Sequence, residues 1–149
     1  MEQVYLGLGS NLGDRSANLE EAISQITTEV GELISSSSVM ETPAWGFLGP
    51  PFFNKVIKIK TKLNPIELLQ SLKGIEKKMG RLTKTKVEDG KPVYADRLID
   101  IDILIYGFHE IESEELTIPH PAMLQRDFVM IPLREIVDEE TWEWINRTQ

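Results

Sequence analysis

Apolar and polar positions change period several times along this chain, and each change marks an element. Val4, Leu6 and Leu8 alternate with Tyr5 and Gly7, which predicts a first strand over residues 4–8. Gly9-Ser10-Asn11-Leu12-Gly13-Asp14 stops it with a turn-rich loop. The spacing then shifts to that of a helix, with Leu19, Ala22, Ile23, Ile26 and Val30 on one face and Gly31 closing it. Residues 33–40 read as a second, polar strand around a run of four serines. A third strand over 52–60 puts Phe53, Ile57 and Ile59 on one face and Phe52, Asn54 and Val56 on the other.

The second helix is the best marked. Asn64 is its N-cap, Pro65 opens the first turn, Glu67 completes a capping box and Gly80 lies past its end. Leu68, Leu69, Leu72, Ile75 and Met79 form its buried stripe. A long basic loop over 81–97 leads into a strand at 99–106. There Ile99, Ile101, Ile103 and Ile105 are expected on one face, and Asp100 and Asp102 share the other. Beyond it lie a turn at 107–110, a short strand near Ile111 and an extended run at 116–121. Two helices follow at 125–137 and 139–147, the first bent or broken at Pro132.

The order strand, helix, strand, strand, helix, strand matches the α+β ferredoxin-like, split βαβ arrangement. It predicts an antiparallel sheet with both helices on one face, plus a C-terminal hairpin and short helices. Asp100 and Asp102 would then point to the free face, alongside Phe52 and Asn54. With no repeat or composition break, residues 1–149 are expected to form one domain.

Composition narrows the function. The chain is 41% hydrophobic and 27% charged, enough for a real core. It has no run of 18 apolar residues and no signal-like start, so a cytoplasmic protein is expected. Zero cysteines exclude disulfides and thiolate metal sites. A net charge of −8 speaks against nucleic acid as a partner, yet residues 73–97 hold eight Lys/Arg against four Asp/Glu. That local excess suits a polyphosphate clamp, or more blandly a solvated helix end and loop.

Carboxylates two apart on one strand face stand roughly 6–7 Å apart. At that spacing like charges are costly unless something positive lies between them. Oxygen ligands that share a metal with substrate phosphates are what Mg²⁺ prefers. The competing reading is an edge strand whose acids only block sticky pairing. Gly7, Gly9 and Gly13 invite a dinucleotide fingerprint, but the third glycine falls one place late.

Six short motifs lie in order: Gly-Ser-Asn-Leu-Gly-Asp at 9–14, Glu-Thr-Pro at 41–43, Phe-Phe-Asn at 52–54, Ile-Glu-x-x-x-Gly-Arg at 75–81, Arg-x-x-Asp-Ile-Asp at 97–102 and Ile-Pro-His-Pro at 118–121. Arg126 and Phe128 follow. Together they make the chain resemble the 6-hydroxymethyl-7,8-dihydropterin pyrophosphokinases of folate synthesis over nearly its whole length. The resemblance implies transfer of pyrophosphate from ATP to the pterin's hydroxymethyl group, with two Mg²⁺ ions on Asp100 and Asp102. It implies pterin contacts at Thr42, Pro43, Trp45, Phe52, Asn54 and Phe128. Glu76, Arg81, Arg97, Thr117, His120 and Arg126 would lie at the nucleotide, with Arg81, Arg97 and the two aspartates serving catalysis. ATP and the pterin would be its small-molecule partners, with neither nucleic acid nor membrane; the oligomeric state and any association with other folate enzymes stay open, a monomer included.

The chain also departs from the family pattern. Thr83 stands where many members carry a second arginine, so Lys84, Lys86 or Lys91 is left to supply that charge. Tyr94-Ala95-Asp96 replaces Trp-Gly-Pro, and Glu115 stands where some relatives have arginine. The rivals are a small-molecule regulatory module or a nucleic-acid binder on the same fold, or another nucleotide-dependent transferase. A regulatory module has no need of paired aspartates beside a basic loop.

Overall fold

A computed structural model describes residues 1–43, 50–80, 87–88, 91–92 and 98–148. The chain begins with β1 (Glu2–Ser10), α1 (Arg15–Glu29), β2 (Gly31–Ser36), β3 (Met40–Thr42), β4 (Phe52–Thr61) and α2 (Pro65–Gly80). After β5 (Val87–Glu88) and β6 (Lys91–Pro92) come β7 (Asp100–Tyr106), β8 (Ile111–Glu112) and β9 (Thr117–Ile118). A short 3-10 turn then leads to α3 (Asp127–Ile136) and α4 (Glu139–Thr148). Main-sheet order is β2-β4-β1-β7, with β3 also on β4, and every pairing is antiparallel. This is the ferredoxin-like arrangement that the element order predicts. No helix among the described residues is long and apolar enough to cross a membrane.

Local chemistry accounts for the element ends. Asp14 caps α1, its carboxylate accepting from the Ala17 N–H at 3.0 Å. The Asn64/Glu67 capping box is formed in both directions: Glu67 N–H donates to Asn64 Oδ1 at 2.9 Å, and Asn64 N–H to Glu67 Oε1 at 3.0 Å. Gly31 begins β2, and a β-carbon there would overlap the Lys60 carbonyl, so only glycine lets the strands close up.

The expected second strand is two strands. Between β2 and β3 the Ser37 hydroxyl takes a ladder position, accepting from Val56 N–H at 2.9 Å. A serine-rich run supplies its own acceptors and so permits the break.

One face of the sheet packs on α1 and α2 through Val4, Leu6, Leu8, Ile57, Ile59, Ile101 and Ile103, against Leu19, Ile26, Leu68, Leu72 and Ile75. The opposite face is not wholly free, as the sequence suggests it would be. Met123, with Val129 and Leu133 of α3 and Ile145 of α4, covers Tyr5, Val56, Leu104 and Ile105 in a second core. Ile105 belongs to this second layer, not with Ile99, Ile101 and Ile103. A bulge explains it: Leu6 pairs with Ile103 and Tyr5 with Ile105, so Leu104 is an extra residue that reverses the alternation.

Pro132 neither breaks nor ends α3, which runs through it. It costs only the donor to the Phe128 carbonyl, one turn from the start. Trp142 and Trp144 pack α4 onto the second core, as the sequence suggests. The end of this face that carries Asp100 and Asp102 lies outside that core.

Candidate active site

β7 is an edge strand, and a groove of about 300 Å³ runs along its outer side. Lys73 and Glu76 of α2 form one wall, Asp100 and Asp102 the floor, and residues 113–117 with His120 the other wall. Thus Glu76, Asp100, Asp102, Thr117 and His120, five of the residues expected at the nucleotide and metal, line one groove.

The edge needs a partner for its outward N–H groups, and Glu76 provides one. Its Oε2 accepts from Ile101 N–H at 2.8 Å. Burial, with the Asp100 and Asp102 charges beside it, outweighs that bond and pushes the Glu76 carboxyl up to about 7. An acid held beside two others in a partly dry groove marks a place built for positive charge.

His120 is fixed by its backbone. The Ile118–Pro119 peptide is cis, and His120 N–H donates to the Leu104 carbonyl at 2.9 Å. The ring Nδ1 accepts from Ala122 N–H at 3.2 Å. Burial and the nearby Arg126 lower its pKa against the pull of Asp100, so the ring stays neutral near pH 7.

Among the described residues no group of three or more His, Asp or Glu side chains is gathered closely enough to hold a metal by itself. Two half-buried carboxylates are nevertheless a fitting protein share for Mg²⁺, which keeps most of its shell for water and phosphate oxygens.

Two strands away, β3 pairs with β4 so that Met40 lies opposite Asn54 and Thr42 opposite Phe52. Asn54 is buried, and its Nδ2 donates to Thr42 Oγ1 at 2.8 Å and to the Met40 carbonyl at 3.2 Å. Phe52 and Thr42 are half-buried and Pro43 exposed. Phe128 is the second residue of α3 and half-buried, with the Arg126 guanidinium 5.6 Å from its ring centroid. Neither Arg126 nor Phe128 lines the β7 groove.

Between the two halves runs β1. Gly9 pairs with Asn54 on one side and Asp100 on the other, and Gly7 with Val56 and Asp102. Gly7 and Gly9, two of the three glycines that hinted at a dinucleotide loop, are therefore strand residues, while Gly13 lies in the turn before α1 with a φ of 68°.

Periodicity gave no signal for two residues that hold the chain just before β4. Asn11 Nδ2 donates to the Pro50 carbonyl at 3.1 Å, and Arg15 Nη1 to the Pro51 carbonyl at 2.8 Å. Arg15 also lies 3.9 Å over the Phe53 ring. Lys73 was missed as well, although it stands one helical turn before Glu76 and so shares its face. Trp45, Arg81, Arg97, Thr83, Lys84, Lys86 and Tyr94, and the Lys91 side chain, lie outside the described residues.

Comparison with known proteins settles the family. The sequence profile of the 7,8-dihydro-6-hydroxymethylpterin-pyrophosphokinase (HPPK) family matches residues 5–138. The chain belongs to this family. It is similar to the 2-amino-4-hydroxy-6-hydroxymethyldihydropteridine pyrophosphokinase of Porphyromonas gingivalis, 44% identical over 138 residues and 91% of either protein. The enzyme of the same name from Aquifex aeolicus is 44% identical over 137 residues, covering 91% of this chain and 81% of the relative.

Among solved structures, a Plasmodium falciparum HPPK-DHPS variant has a TM-score of 0.71 at 16% identity, over 93% of this chain and 42% of that one. The chain thus spans less than half of those longer proteins, and the likeness shows the HPPK fold alone. By family, this HPPK domain is a pyrophosphokinase, an enzyme of the diphosphotransferase class.

Proposed function

We propose that this chain transfers the β,γ-pyrophosphate of ATP to the hydroxymethyl oxygen of 6-hydroxymethyl-7,8-dihydropterin, in the cytoplasm and as a step of folate synthesis. The new bond joins that oxygen to the β-phosphorus. The bond from the β-phosphorus to the α–β bridging oxygen breaks, AMP leaves and the hydroxyl proton is released. One observation carries the reading: Asp100 on β7 and Asn54 on β4 flank the same β1 residue, Gly9, so the acid pair and the acceptor residues adjoin.

Each set of residues has a part. Asn54, fixed through its Nδ2, keeps its Oδ1 as an acceptor for the pterin edge, while Phe52 and Phe128 offer faces for the ring. Thr42, Pro43 and Trp45 complete the pterin site. Asp100 and Asp102 would hold two Mg²⁺, whose role when bound with ATP is to offset charge on the phosphate oxygens. Thr117 and His120 position the nucleotide, with a neutral His120 able to donate from Nε2. Arg81, Arg97 and Arg126 supply the planar cations a polyphosphate needs. Positioning and electrostatics are most of what phosphoryl-type transfer asks of a protein, so no nucleophile is required.

The test is AMP formation from ATP with and without the pterin, in Mg²⁺ and in excess chelator. Release that needs both pterin and Mg²⁺ is expected. AMP formed equally without pterin would overturn the acceptor assignment, and turnover undiminished in chelator would overturn the metal.

A further inference from the structure

Gly9 is the last residue but one of β1, an inner strand of the sheet, in a row that runs Asn54, Gly9, Asp100 across three strands. Adjacent strands lie about 4.8 Å apart, so this row spans roughly 10 Å from the acceptor-side residue to the first acid. A sheet position paired on both sides disfavours glycine, which gives up backbone entropy and packs nothing. Sterics do not demand it here. A β-carbon at Gly9 would lie 3.4 Å from Asn54 Oδ1, 3.6 Å from Phe52 Cδ1 and 4.0 Å from the Phe53 carbonyl, all ordinary contacts. The backbone is a regular strand with both neighbours in register, so no unusual φ calls for glycine either. A methyl group would fit the protein and fill the space beside the one Asn54 atom that is not committed to Thr42 or Met40.

From this we infer that Gly9 is a specificity-determining position. Its missing side chain keeps open the passage by which the acceptor's exocyclic arm crosses β1 from Asn54 to the phosphates at Asp100. The inference rests on the pterin reading and adds a size limit to it. A side chain at residue 9 would project between ring site and acid pair, shortening the reach of any one-carbon arm. Gly7, one row on, is the internal control. Its β-carbon would point to the same face but meet only the Leu104 side chain, at 3.4–3.6 Å, with no acceptor residue within 4 Å.

The experiment compares wild type, Gly9→Ala and Gly7→Ala in four readouts: thermal melting, affinity for a non-hydrolysable ATP analogue with Mg²⁺, affinity for pterins with and without the 6-hydroxymethyl arm, and pterin-dependent AMP formation. For Gly9→Ala we expect an unchanged or higher melting temperature and ATP-analogue affinity within about twofold. Its kcat/KM for the hydroxymethyl pterin should fall at least thirtyfold, and it should lose several-fold more affinity for that pterin than for the armless one. Gly7→Ala should stay within about threefold of wild type throughout.

A Gly9→Ala enzyme with wild-type kcat/KM overturns the proposal, as does one that loses both pterins or the nucleotide alike. Failure of Gly9→Ala to fold also overturns it, since the space would then not be open. Wild type that makes no pterin-dependent AMP defeats the pterin reading itself, a result separable from all of these.

Discussion

Two polar clusters mark the two ends of the sheet, and they treat carboxylates in opposite ways. At the α4 end, Asp138 Oδ1 accepts from Thr141 N–H at 2.8 Å, and Oδ2 from Thr141 Oγ1 at 2.9 Å and the Tyr5 hydroxyl at 3.1 Å. Lys58 Nζ stands 3.7 Å away. Burial works against this carboxyl, but the Thr141 and Tyr5 donors and Lys58 outweigh it and hold its pKa below the usual range. At the β7 end, Glu76 has one backbone donor and two aspartates for neighbours, and its pKa rises to about 7. The first cluster ties α4 to β1. The second spends stability on a concentration of negative charge, which a protein gains from only when a cation arrives.

The largest effect expected from breaking this contrast is on turnover. Asp100→Ala and Asp102→Ala should each lower pterin-dependent AMP formation by on the order of a thousandfold, the scale of losing a group that stabilises transition-state charge. Neither should lower the melting temperature of the metal-free protein, because each relieves repulsion at Glu76. Near-normal turnover in either variant, measured in saturating Mg²⁺, would return the two aspartates to a merely solvated strand edge.

Asp138→Ala should do the reverse. It removes the α4 N-cap and leaves the Tyr5 hydroxyl without its acceptor, a loss of about 1–2 kcal/mol in urea unfolding. Turnover should remain within about twofold of wild type. A large loss of activity without loss of stability would show that the two ends are not separate in role.

Much of this division was legible in the chain. Strict alternation through Ile99, Ile101 and Ile103 and the signature at Asn64 to Glu67 made β7 and α2 readable, and β7 carried the acid pair with it. What escaped was long-range. The bulge at Leu104 depends on which β1 residue pairs with Ile105, and no local pattern records that. The second core was hidden because α3 and α4 look like helices without saying which surface they cover. Arg15 escaped for the same reason: it acts on Pro51 and Phe53, far along the chain, through a carbonyl and a ring face. Gly9 was visible as a residue but not as a site, because its meaning lies in its two strand neighbours.

The smallest effect, and the one that separates the clusters most cleanly, is the pH dependence of stability in chelator. Glu76 has an ordinary pKa of 4.5 when unfolded and about 7 when folded. Between those values the folded protein binds more protons, so stability falls as pH rises through that window. Asp138 has the opposite sign. With its folded pKa below the ordinary 3.8, its contribution is present above that value and is lost as pH falls through the folded pKa. Urea titrations from pH 3 to 8 should therefore show stability declining at both extremes, each limb no steeper than about 1.4 kcal/mol per pH unit for one proton. Glu76→Gln should flatten only the limb above pH 4.5, and Asp138→Asn only the acid limb. If Glu76→Gln leaves the upper limb intact, the acids at β7 do not feel one another, and the contrast between the two ends of the sheet fails.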